Sequence, residues 1–103
     1  MIHVLAFITA KPGLRDSVLA AFRANVPAVR AEAGCIEYGA VIDAAGGLPA
    51  QPKYGDDTFV VIEKWESMDA LKAHAVAPHM QAYGAKTKEM LASRVIHVLE
   101  PIQ

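Results

Sequence analysis

The chain has 103 residues, 53% of them hydrophobic and 20% charged, with a formal net charge of −1. That length gives room for one domain with one modest core, so residues 1–103 are read as a single domain. Its Lys and Arg are scattered, which argues against a phosphate-backbone footprint and so against a nucleic-acid partner.

The chain has one cysteine, Cys35, which can form neither an internal disulfide nor a thiolate cluster. It reads as a small apolar residue at a strand start. The excess of apolar residues in so small a domain suggests that a partner covers some of its surface.

The apolar run IHVLAFITA over residues 2–10 is β-branched-rich and reads as a first strand. It has no basic leader and is too short to span a bilayer, so a cytoplasmic protein with no membrane partner is expected. Lys11-Pro12-Gly13 is a turn. Leu14, Val18, Phe22, Val26 and Val29 step by three or four, which is one face of a helix. Pro27 should kink that helix or start a new turn, and Gly34 suits its end.

Residues 35–43 read as a second strand. The following stretch, 44–57, is rich in Gly, Pro and Asp, and a connection this long more often carries function than regular structure. Thr58 to Trp65 is a third strand. Ser67 is a good N-cap for a short helix through His74. Pro78 suits the first turn of another helix, which places Met80, Tyr83, Thr87, Met90 and Leu91 on one face. Residues 94–101 form the last strand.

The order β-α-β-β-α-β predicts a ferredoxin-like α+β fold, with helices on one face of an antiparallel sheet. The strands carry apolar residues on both faces. The face turned away from the helices must also be hidden, most simply by the same face of a second copy in a two-fold homodimer.

Glu63 to Tyr83 gathers the groups that could do chemistry. His74 should lie at the margin of the helix face turned toward the sheet. There it is either a base for a phenolic proton or a hydrogen-bonded histidine that packs the helix. Glu63 and Trp65 are two apart on a strand and share a face. Glu63 could orient a histidine or meet a substrate hydroxyl, or else form a salt bridge. Trp65 could face an aromatic ring or fill the core. Tyr38 has the same ambiguity. His79 and Tyr83 lie one helical turn apart and could form a pocket wall with a polar handle.

His3 and His97 fall on neighbouring strands without a third ligand, and His74 and His79 lack the helical zinc spacing, so no metal site is assigned. No GxGxxG motif marks a nucleotide cofactor.

The stretches EAGCIEYGAVIDAAGG, VVIEKWES, LKAHAVAPHMQAY and RVIHVLEP, with the KPG turn, resemble the antibiotic biosynthesis monooxygenase (ABM) family from end to end. Within it the chain looks most like the bacterial quinol monooxygenases. The resemblance implies a dimeric α+β barrel that oxidises a dihydroquinone or similar aromatic with dioxygen and without a cofactor. With the residue readings above, His74 and Glu63 are expected as catalytic residues, with Trp65, Tyr38, His79 and Tyr83 binding substrate.

The haem-degrading branch of this family uses a first-strand Asn, a Trp after the third strand and a later His. Here the first strand has no Asn, His74 stands where that Trp would fall, and the region of Gly84 lacks the His. Two other functions share these residues: a non-catalytic carrier of quinones or small aromatics, and an isomerase of a small carbonyl metabolite.

Overall fold

The computed structural model describes residues 1–102. Strand β1 (Ile2–Ala10) leads to helix α1 (Arg15–Arg30), then β2 (Cys35–Val41) and β3 (Thr58–Trp65). Two short helices follow, α2 (Met68–Ala75) and α3 (Pro78–Thr87). A 3₁₀ turn (Lys88–Met90) then leads into β4 (Leu91–Leu99). The four strands form one antiparallel sheet in the order β2-β3-β1-β4. This is the expected ferredoxin-like α+β arrangement.

Strand alternation fixes which face is which. Ile2, Val4, Ala6, Ile8 and Ala10 are buried, while His3, Leu5, Phe7 and Thr9 between them are only half-buried. Pairing carries the same division into β3, where Val4 opposes Glu63, Ala6 opposes Val61 and Ile8 opposes Phe59. Helix α1 lays Val18, Leu19, Phe22 and Val29 onto that buried face. Each such side chain contributes on the order of 1.5–3 kcal/mol by leaving water.

The structure moves several expected boundaries. Helix α1 runs through Pro27 to Arg30, and the Ala31 N–H donates to the Pro27 carbonyl at 3.1 Å. Arg23 and Pro27 are both exposed, so water can replace the one helical bond that proline removes. Strand β2 stops at Val41 instead of continuing to 43. Helix α3 ends at Thr87, so Met90 and Leu91 do not share its face. Strand β4 begins at Leu91 and ends at Leu99, where 94–101 was expected. An apolar periodicity that runs across a 3₁₀ turn into a strand cannot be told from a continuing helix.

The 42–57 connection reaches the sheet face away from the helices through Tyr54. Tyr54 packs on Phe7 with ring centroids 5.5 Å apart. Asp43 closes the connection by accepting from the backbone N–H groups of Tyr54 and Gly55 at 3.2 and 2.9 Å.

Gly34 holds the α1–β2 turn with φ at +83°. A β-carbon there would lie 2.6 Å from the Ala70 β-carbon of α2. Gly13 has a similar φ of +81° but open space around it. Gly34→Ala should therefore cost more stability than Gly13→Ala, which carries only the left-handed backbone penalty of about 1–2 kcal/mol. Urea unfolding of the two variants checks this, and equal losses would mean that α2 yields freely to the new methyl group.

Candidate functional site

Local signals in the sequence place the site. The Ser67 hydroxyl accepts from the Ala70 N–H at 3.2 Å and starts α2. That helix carries Met68, Leu71 and His74 along one side. Pro78 occupies the first turn of α3, where its missing N–H costs nothing. Helix α3 then brings Met80, Tyr83 and Thr87 over the sheet.

Between these helices and the sheet lies a cavity of about 640 Å³. This is within the ~300–1,000 Å³ range of small-molecule sites. Its floor is Val4, Ala6, Ile8 and Val61, and its walls include Phe22, Tyr38, Glu63, His74 and Tyr83. The mouth lies along β4, where Ile96 and Val98 are 44% and 49% exposed although they sit on the helix side of the sheet.

His74 is only 5% exposed. Its Nδ1 is 2.9 Å from Glu32 Oε2, and His79 Nε2 is 2.8 Å from the same oxygen. A carboxylate oxygen only accepts, so both of those ring nitrogens carry hydrogen. In neutral His74 the lone pair is then on Nε2, 3.8 Å from Glu63 Oε1 and beyond hydrogen-bond range. The Trp65 indole N–H donates to Glu63 Oε1 at 2.9 Å. The Trp65 ring lies 4.6 Å from the His74 ring, and the Tyr38 ring meets it edge-on at 5.6 Å.

Burial sets the proton affinities of the groups around the imidazole. It raises the Glu63 carboxyl, opposed by the Trp65 hydrogen bond and then by the charge of His74. It raises the Tyr38 phenol, and the nearby Glu63 charge adds to the shift. Tyr83 is raised for the same main reason, while Arg94 pulls it the other way. Both phenols therefore stay protonated and can donate to an oxygen in the cavity.

His74, Glu63, Tyr38 and Tyr83 all face the cavity. Two expected ligand contacts lie elsewhere. Trp65 is 0% exposed and sits behind Glu63 and His74, so it has no surface to offer a substrate ring. His79 does not line the cavity among the described residues; it is bound to Glu32. The residue that sequence reasoning missed is Glu32. It stands 42 and 47 positions from the histidines it holds, so no local spacing reveals it. The available signal was its place at the head of the EAGCIEYG stretch that carries the family resemblance.

A buried cluster of acids and imidazoles beside an apolar chamber is chemically suited to proton transfer. Comparison with known proteins shows the family. The model of the family described as "Antibiotic biosynthesis monooxygenase" matches residues 1–86. The chain is 39% identical over 103 residues to the Escherichia coli (strain K12) protein "Probable quinol monooxygenase YgiN", with 98% of each chain covered. Among solved structures, PA3566 from Pseudomonas aeruginosa superposes with a TM-score of 0.82 at 27% identity, covering 99% of this chain and 94% of that one. Rv0793 from Mycobacterium tuberculosis does so at 0.81 and 28%, covering 99% and 95%. The chain belongs to the antibiotic biosynthesis monooxygenase family and is an enzyme of the monooxygenase class. This favours turnover over the carrier and isomerase alternatives. Among the described residues, no helix is long and apolar enough to cross a membrane.

The raised Glu63 carboxyl has a consequence for stability. The native state keeps that proton to higher pH than the unfolded chain, whose Glu63 titrates near the ordinary value of 4.5. Its contribution to stability therefore falls as pH rises from that value through the raised one. Glu63→Gln retains an acceptor for the indole but cannot ionise. Urea unfolding at about pH 4 and about pH 7 should show the variant gaining on wild type at the higher pH. A constant difference would mean that the carboxyl titrates alike in both states.

Proposed function

We propose that the protein oxidises a dihydroquinone, or a similarly electron-rich aromatic diol, with dioxygen, and that His74 is the general base. The observation that carries this reading is the orientation of His74. Glu32 fixes the Nδ1–H, which leaves Nε2 as an acceptor at the wall of an apolar chamber. The relationship to "Probable quinol monooxygenase YgiN" supports the choice of substrate class.

In this scheme the ring of the diol enters the cavity and one hydroxyl approaches His74 Nε2. Tyr38 or Tyr83 donates to an oxygen of the substrate. His74 takes the phenolic proton, and the imidazolium then lies between the carboxylates of Glu32 and Glu63. Glu63 helps in this way, and Trp65 helps by holding Glu63.

The phenolate is a stronger reductant than the phenol and passes one electron to dioxygen. Transfer of the second electron and the second phenolic proton, with return of the first proton from His74, completes the conversion to quinone and hydrogen peroxide. Alternatively, the radical pair joins through a carbon–oxygen bond, and loss of water leaves a hydroxyquinone. The substrate supplies every electron, two on the route to quinone and peroxide and four on the route to hydroxyquinone and water, and the scheme calls on no cofactor. The protein contributes alignment, a dry site and one base.

The reading includes a homodimer. Leu5, Phe7, Val60 and Ile62 on the open sheet face are only half-buried, and Val95 and Leu99 beside them are exposed. A second copy of this face would cover them while leaving the cavity, on the opposite face, accessible. In this reading residues 1–103 work as one domain in the cytoplasm.

Oxidation of menadiol by His74→Ala should fall by roughly 10²-fold or more in kcat relative to wild type. Equal rates after subtraction of autoxidation would remove His74 from the mechanism. Sedimentation should give twice the monomer mass for wild type and a monomer for Phe7→Asp. A monomeric wild type would remove the dimer.

A further inference from the structure

We propose that the cavity selects an aromatic substrate bearing a carboxylate or similar anion, and that Arg94 at the mouth binds that group. This deepens the reading of the site above. Its oxidation arm rests on that reading, and its binding arm does not.

The charge on the cavity wall is lopsided. Three elements each contribute a cation: Lys72 from α2, Lys88 from the 3₁₀ turn and Arg94 from β4. Among the described residues the one acid on the wall is Glu63, which is buried and already engaged by the Trp65 indole. None of the three cations makes a hydrogen bond or ion pair through its side chain to a described residue. Elsewhere Lys64 pairs with Glu37 at 3.5 Å and Arg30 donates to the Tyr38 carbonyl at 3.0 and 3.2 Å, whereas Lys11, Arg23, Lys53 and Lys86 make no such contact to a described residue; what sets Lys72, Lys88 and Arg94 apart is that they share one cavity wall.

Position makes Arg94 the anchor of the three. It pairs with Ile8 across the sheet, and so stands on the helix side. Its neighbours on that side of β4 are the half-exposed Ile96 and Val98. A charged side chain beside two apolar ones at a cavity mouth suits a ligand that is apolar inside and anionic at its outer end. Its charge is also felt by Tyr83 and Glu63 within the cavity.

The mouth is the inexpensive place to keep an anion. There the carboxylate stays partly hydrated, whereas on the dry floor it would lose its water. The planar guanidinium can hold it through two parallel hydrogen bonds. The ring would then extend inward to His74. The surface that would pair in the dimer lies on the other side of the sheet and leaves Arg94 free.

The test compares two substrates, 2,5-dihydroxybenzoate and its methyl ester, in wild type, Arg94→Gln and Arg94→Lys. The ratio of kcat/KM for acid over ester should fall about tenfold in Arg94→Gln, and Arg94→Lys should restore part of it. Taking the change between proteins removes the difference in intrinsic reactivity between the two diols. A second arm measures binding of 2-naphthoate and methyl 2-naphthoate, neither a diol, by calorimetry in the same three proteins. The acid should bind more tightly to wild type, and that advantage should collapse in Arg94→Gln.

If the binding preference behaves so while no diol is oxidised, the function proposed above fails and this inference stands. If diols are oxidised but neither ratio changes with Arg94, this inference fails and the function stands. Failure of wild type to bind either naphthalene probe overturns the inference as well.

Discussion

One oxygen atom, Glu32 Oε2, accepts from two imidazoles that belong to different helices. This contact fixes the chemistry of the site because it decides where the hydrogens are. With Nδ1–H of His74 committed, the free lone pair of the neutral ring is on Nε2. It also ties three segments together: the α1–β2 turn that carries Glu32, the last turn of α2 and the first turn of α3. Removing the carboxylate would leave two donors facing a half-buried gap, and buried donors without partners cost about 1–3 kcal/mol each. The contact is thus structural and directive at once.

The cavity has an equally simple cause. Helices α1, α2 and α3 cover β1, β2 and β3, and β4 is left without a helix above it. Ile96 and Val98 consequently remain exposed on the side where their partners Ala6 and Val4 are buried. Small residues on the floor, Ala6 above all, leave volume that larger side chains would fill. A tight core and a receptive chamber therefore share one sheet face, with the boundary between them near β1.

The fold was legible because its signals are local and strong. Alternation in IHVLAFITA and TFVVIEKW, the Ser67 cap, and the proline at the start of α3 each point to one element. The errors fell where one signal can serve two structures, as at Met90 and Leu91, whose apolar spacing continues a helical stripe while the backbone has already turned toward β4. For the site, strand parity put Glu63 and Trp65 on one face, which in the structure is the helix side. Parity gives a direction and not a depth. Only packing shows that the indole is sealed behind His74. Glu32 and Arg94 were out of reach for a different reason. Each acts through tertiary closeness to residues far along the chain, and neither has a spacing that marks it.

A cluster of Glu32, Glu63, His74 and the Trp65 N–H is a poor way to stabilise a core. Apolar side chains of the same volume would avoid the desolvation of two carboxylates, and the raised Glu63 carboxyl records part of that cost. The cluster is tolerable because its groups find partners: the indole satisfies Glu63, and the two imidazoles satisfy Glu32. The lone pair on His74 Nε2 meets no hydrogen-bond donor among the described residues, and it lies at the wall of the chamber. An open acceptor there is what the proposed proton transfer requires. The same groups would serve packing better if that acceptor were filled from within the protein.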